Sequence, residues 1–219
     1  MSWTMTHLAV AKAVNDKIGI AHDTTQYYMG AIAPDSVHFR ANYTGEMKKN
    51  SHYLAYNKPW GKVDCIKECD DWLRDVLAKT EPAKFQKYSD FYKGVLVHIL
   101  TDICNTKTFY VPFTQWYKSE NRPQEQFRDA YYGDCKQIDT ELYKNSPWTQ
   151  EIWSLLLKAK CESIDNIINA TEAEEHRTSQ YNYYNNEKYE PGKPQRFISI
   201  EDNYKLIKDA TDEIVHLLK

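Results

Sequence analysis

The chain of 219 residues is 42% hydrophobic and 27% charged, with a formal net charge of −3. That balance excludes a disordered polyelectrolyte and gives no electrostatic footing for duplex nucleic acid or an anionic membrane. No apolar run approaches the roughly 20 residues of a membrane span, and the length fits one domain over residues 1–219. Only 7 Gly and 8 Pro interrupt the chain; strand-like alternation is lacking and helical periodicity recurs. Residues 5–19 set Leu8, Ala11, Val14 and Ile18 on one stripe, and residues 24–32 form a short aromatic helix closed by Pro34. Residues 63–79 are amphipathic through Val63, Ile66, Trp72, Leu73 and Leu77. A central helix is predicted over 84–104, with helices following over 121–143, 147–162, 171–182 and 200–218. Ser199-Ile200-Glu201-Asp202 has the composition of a helix start. Residues 41–62 and 183–197 read as loops, the second rich in Tyr and Asn and suited either to stacking a sugar or base or to a plain crossover. The prediction is all-α.

The first residues carry no basic region followed by a long apolar run, so no secretory leader is expected and a cytoplasmic setting follows. Five cysteines leave one over in any disulfide scheme, which favours reduced thiols. Cys65 and Cys69, four apart, lack a second Cys/His pair nearby and read as structural.

The central helix contains Phe91-Tyr92-Lys93-Gly94-Val95-Leu96-Val97-His98-Ile99-Leu100-Thr101-Asp102-Ile103. It is apolar almost all round, as a helix buried on every side is. His98 and Asp102 are four apart and therefore share a face. A buried imidazole and a buried carboxylate need each other, another partner or a metal. A core hydrogen bond would satisfy them without metal. Further donors stand in apolar surroundings: His7 in the first helix, Asp35 after Pro34, His38 three residues on, and His52. Such nitrogen and oxygen ligands suit zinc, and also manganese, iron or nickel.

The segments Thr6-His7-Leu8, Gly30-Ala31-Ile32-Ala33-Pro34-Asp35, Ser51-His52-Tyr53 and Phe91 to Asp102, in that order, resemble the zinc-dependent phospholipase C family, most of all its short bacterial branch. The superfamily also contains single-strand nucleases. The resemblance covers residues 1 to about 110, with an echo in Tyr131-Tyr132-Gly133-Asp134 and Gln137-Ile138-Asp139. It implies a multi-helix bundle of the phospholipase C/single-strand nuclease type. It also implies a zinc held by Asp35, His52, His98 and Asp102, and a second zinc shared by Asp102 and His7. In the family the mature N-terminus completes the second site; here that would be Ser2 after loss of Met1, with Trp3 one residue late. The pattern breaks at Thr108, where the family has a histidine. A later His with an acid four residues on is also missing, since Gln180 follows His176 and His216 has no such partner. One or two metals are therefore implied, not three.

These readings together predict a metal-dependent phosphoester hydrolase, phospholipase C-like, using metal-activated water with Asp35 as general base. The expected substrate is a small phosphorylated molecule or a lipid headgroup, with Lys48, Lys49 and Arg40 as candidate anion binders. The alternative is a non-catalytic metal-binding protein on the same scaffold. His38 is an alternative to His52. Asp134 and Asp139 read as a structural pair or as support behind a metal ligand, and His22, His176 and His216 as solvated.

Overall fold

The computed structural model describes residues 3–54, 61–186 and 197–218. It is all-α, with no strand or sheet among the described residues. The helices are α1 (Thr4–Ile18), α2 (Thr24–Gly30), α3 (Gly45–Ser51), α4 (Ile66–Thr80), α5 (Asp90–Asn105), α6 (Val111–Ser119), α7 (Phe127–Asn145), α8 (Thr149–Leu156), α9 (Ala170–Asn185) and α10 (Ile200–Leu218). Short 3-10 segments run over Ala33–Phe39, Pro82–Lys87 and Gln124–Gln126, and a π segment over Thr106–Tyr110 joins α5 to α6. No described helix is long and apolar enough to cross a membrane.

Helix α5 is the axis of the bundle. Ser89 caps its first turn by accepting from the Tyr92 N–H, and every residue from Lys93 to Asn105 is buried. Helix α2 lies so close against it that their backbones touch. A Cβ on Gly30 would stand 1.9 Å from the Phe91 carbonyl oxygen, and one on Gly94 2.0 Å from that of Tyr27. Only glycine permits this approach. The contact brings the Ala31 carbonyl beside α5, one turn beyond Gly94, where His98 receives it.

Helix α1 starts without a cap of its own, because Trp3 at its N-cap makes no side-chain cap bond. Asp139 of α7 supplies the acceptor instead: its Oδ1 takes the Met5 N–H at 2.7 Å. The Tyr184 hydroxyl of α9 donates to the other oxygen. Asp134, five residues earlier, accepts from the N–H groups of Phe197 and Ile198 at 2.7 and 3.1 Å, fastening the entry to α10. The two aspartates thus brace different helices and are not a pair with one another. Ser199 and Asp202 exchange backbone N–H bonds at 3.0 and 3.1 Å, a capping box at the predicted helix start.

Several boundaries differ from the sequence reading. The predicted loop 41–62 contains helix α3, opened by the Thr44 side chain accepting from Met47 N–H. The central helix begins at Asp90, after a separate 3-10 turn. The helix predicted over 121–143 starts at Phe127, and that over 147–162 stops at Leu156. Pro34 does not simply close a helix; it sits in the first turn of a 3-10 segment, where its missing N–H costs nothing. Tyr183, Tyr184 and Asn185 belong to α9 rather than to a loop. The Tyr184 ring stacks on Tyr143, centroids 4.6 Å apart, and is not free to stack a ligand. Tyr189, Pro191, Gly192 and Pro194 lie outside the described residues.

Candidate metal centre

Four elements deliver side chains to one place. Helix α5 presents His98 and Asp102 from successive turns. His7 comes from the second turn of α1, and Asp35 from the first turn of the 3-10 segment. His52 is the C-cap of α3. That helix ends in a Schellman motif: Tyr53 N–H bonds the Asn50 carbonyl at 3.2 Å and Leu54 N–H the Lys49 carbonyl at 2.9 Å. Tyr53 takes the left-handed position, φ 54°, that glycine usually fills. Its hydroxyl meets that of Tyr92 at 3.0 Å, and Trp72 Nε1–H donates to the His52 carbonyl at 2.9 Å. These contacts fix the direction of the His52 ring.

The geometry centres on the Asp102 carboxylate. Oδ1 lies 3.4 Å from His7 Nε2, while Oδ2 lies 3.4 Å from His52 Nε2 and 3.9 Å from His98 Nε2. Asp35 Oδ1 is 3.4 Å from His52 Nε2 and 3.7 Å from His98 Nε2. Two overlapping groups result, His7–Asp35–His98 and His52–His98–Asp102, each able to surround one cation. Asp102 turns one oxygen toward each group, as a bridging carboxylate does.

Hydrogen bonds on the far side of each ring decide what the near side offers. His98 Nδ1 is 2.8 Å from the Ala31 carbonyl, and His52 Nδ1 is 3.1 Å from the Lys48 carbonyl and 2.8 Å from Ser51 Oγ. Ser51 gives its own proton to the Lys48 carbonyl. A carbonyl only accepts, so His98 carries its proton on Nδ1 and turns its Nε2 lone pair inward, while His52 is held between the Lys48–Ser51 end of α3 and Asp102. The two Nε2 atoms lie 3.2 Å apart, and His52 also hydrogen-bonds Asp102. Burial keeps them neutral: it pushes His52 down to about 4, helped by Lys48, and holds His98 well below the ordinary imidazole value, helped by His7. Burial also lowers His7, against the pull of Asp102. For Asp102 burial acts to raise the carboxyl, but His7, His52 and His98 outweigh it and hold it well below the usual range. The result is a buried carboxylate ringed by neutral imidazoles, a set of donors matched to a divalent transition metal.

One side chain complicates the centre. Lys48 is buried, and its ammonium sits on Asp35 Oδ1. Burial pushes that ammonium down to about 7, while Asp102 pulls the other way. Of the three candidate anion binders it is the one inside the cluster. Arg40 instead forks Glu172 at 2.9 to 3.2 Å, and Lys49 pairs with Glu46 at 3.1 Å. Asp35, with 21% of its side chain exposed, is the edge of the cluster that meets solvent; His7, His52, His98 and Asp102 are at most 1% exposed.

His38 is exposed, packs on Tyr43 at 4.6 Å between ring centroids, and is in neither group. Thr108 is also exposed, in the π segment. His22 and His216 are exposed, as the sequence suggested. His176 is not solvated: it is buried against Phe39, and burial, with Lys48 and His38, pushes it down to about 3. Charged neighbours on α9 conceal an inward face made by Ala173, His176, Arg177 and Tyr184. Met1 and Ser2 lie outside the described residues. All five cysteines are free thiols. Asp64, Cys65 and Glu68 also cluster, but Glu68 there accepts the Asp64 N–H at 2.9 Å, closing the start of α4.

No family model, curated protein or solved structure matches this chain.

Proposed function

We propose that this protein is a metal-dependent phosphoester hydrolase, with zinc as the ion its donor set suits best. The observation that carries the reading is the convergence of His52 and His98 Nε2, 3.2 Å apart, on the buried Asp102 carboxylate. Imidazole nitrogens and a carboxylate drawn this close in a dry interior are the donor set of a divalent cation. A relation to the zinc-dependent phospholipase C family belongs to the same proposal, supported by the order of the motifs and their convergence.

His52, His98, Asp102 and Asp35 would hold the first ion, and Asp102 with His7 part of a second. A bound divalent ion supplies Lewis acidity toward a phosphoryl oxygen and toward water. Asp35, on the solvent side, accepts the proton that an attacking water releases. The carbonyl of Ala31 holds His98 in the ligating tautomer. Lys48, which pairs with Asp35, would offer its charge to the phosphoryl group once an ion held that carboxylate.

A non-catalytic metal-binding role is the second reading, favoured by the near-complete burial of four of the ligands. Elemental analysis of the purified protein and of His98→Ala tests both: metal should be present in the first and largely lost in the second. Absence of metal from both proteins would overturn both readings. Turnover of bis(p-nitrophenyl) phosphate by the metal-loaded protein then separates hydrolase from metal store.

A further inference from the structure

A cavity of about 390 Å³ lies where α3, α4 and the turn after α8 meet. Its volume is that of a small-ligand pocket. Helix α3 divides its lysines between two places. Lys48 pairs with Asp35 in the cluster, whereas Lys49, one residue on, lines the cavity. His7, Asp35, His52, His98 and Asp102 are not among the residues that line it, so it is a separate site.

The walls are held from behind. Tyr53, in its left-handed position, is tied through its hydroxyl to Tyr92. On the opposite wall Asn166 is also left-handed, φ 60°, at the tip of a turn closed by the Ile167 N–H on the Ile164 carbonyl at 2.9 Å. Arg40 Nη2 anchors that turn by donating to the Ile167 carbonyl at 3.4 Å.

The charge inside is weighted toward cations. The Lys49 side chain is only 10% exposed, and its ammonium reaches Glu46 Oε2 at 3.1 Å. The Glu46 side chain is 68% exposed, and an ion pair with so solvated a partner contributes little. Lys79 lines the cavity with its ammonium 5.4 Å from the Tyr53 ring centroid, and it has no carboxylate in ion-pair range among the described residues. Asn50 and Asn166 add two amides, each with donors and an acceptor.

We propose that this cavity binds a small phosphate-bearing molecule, its oxyanion held by Lys49 and Lys79 and its hydroxyl-bearing body by Asn50 and Asn166. Hydrogen bonds from ammonium to phosphate are charge-assisted and strong. The phosphate gains both cations, where Glu46 pairs with one. Glu46 swings fully into solvent as the ligand enters. Binding here needs no metal in the cluster.

The test titrates the full chain calorimetrically with glycerol 3-phosphate, inorganic phosphate and glycerol, each with and without chelator. The ester should bind in both conditions and glycerol in neither. Lys79→Met should weaken the ester Kd by about tenfold, the loss of one charge-assisted contact, at unchanged melting temperature, since that side chain is exposed. Glu46→Gln should tighten it by about threefold, because a competing carboxylate is gone. Tighter binding of the ester than of phosphate assigns the two amides to the hydroxyls, and equal binding assigns free phosphate as the ligand; either sustains the oxyanion site. Binding that chelator abolishes would put the anion on a metal in the cluster and overturn the proposal. No binding of either phosphate, or affinities unchanged in Lys79→Met and Glu46→Gln, overturns it too. Metal content is untouched by these variants, so the hydrolase reading stands or falls separately.

Discussion

The imidazoles of His7 and His98 lie face to face, 3.6 Å between centroids and 10° from parallel. They come from different helices, and neither ring reaches solvent. Stacked this closely out of water, the two cannot both carry charge, and each lowers the proton affinity of its neighbour. Acid should therefore damage this protein at its centre before its surface.

The sign can be worked out. A histidine held neutral by the fold binds fewer protons native than unfolded, so its contribution falls with pH. For His52 the loss should begin near 6.5, the unfolded value, and be complete near 4. His7, His98 and His176 act in the same direction. Asp139 opposes them, because burial raises its carboxyl to about 7, so its penalty grows as pH rises from 3.8 toward 7. With five lowered histidines, His38 included, against raised Asp139 and Glu162, the metal-free protein should lose stability from pH 6.5 to 4, His52 alone contributing about 3 kcal/mol. Urea unfolding across that range, after dialysis against chelator, measures it. Asp139→Asn should steepen the fall, and a flat profile would contradict the buried neutral state.

Lys48 and a metal ion compete for Asp35. Replacing the buried ammonium by the similar volume of methionine removes the competitor, so Lys48→Met should tighten zinc binding by about tenfold, the effect of ~1.4 kcal/mol. Competition against a chromophoric chelator reads this directly. Weaker zinc binding in the variant would mean that Lys48 supports the ion rather than excludes it.

Asp139 should matter out of proportion to its distance from the cluster. In Asp139→Ala the Met5 N–H and the Tyr184 hydroxyl lose their shared acceptor, at a cost of about 2–3 kcal/mol. The first turn of α1 then frays, and His7 with it. Zinc stoichiometry should drop by the share that His7 holds, while the His52–His98–Asp102 group keeps its ion. Unchanged stoichiometry with lowered stability would make Asp139 a brace for the fold alone.

Gly94→Ala sets a methyl against the Tyr27 carbonyl, in a contact where backbone rather than a flexible side chain must yield. Destabilisation of about 3 kcal/mol is expected. Because the same contact brings the Ala31 carbonyl to His98, metal affinity should fall as well. A variant as stable as the parent, measured by thermal melting, would show that α2 and α5 can part without cost.

The central helix was legible because its apolar run is long and unbroken, and Ser199 with Asp202 announced α10 by chemistry alone. Spacing put His98 and Asp102 on one face. No spacing could bring His7, Asp35 and His52 to them; only the order of the motifs suggested one group. Helix α3 was missed because Gly45 opens it and its residues are polar, though Thr44 ahead of Glu46 and Met47 held a capping signal. Lys48 could not be told from Lys49, since adjacent helix positions look alike until packing buries one. His176 was misjudged from its charged neighbours, when the period of three and four along α9 would have pointed it inward.

The bond from Met5 to Asp139 spans 134 positions of chain, and this fixes an order of events during folding. A contact so remote in sequence must wait for the loop between to close, a step slower than any local turn. Helices α2 and α5 can meet early, carrying His98 and Asp102 with them. The first turn of α1 gains its cap only when α7 docks, so His7 settles last.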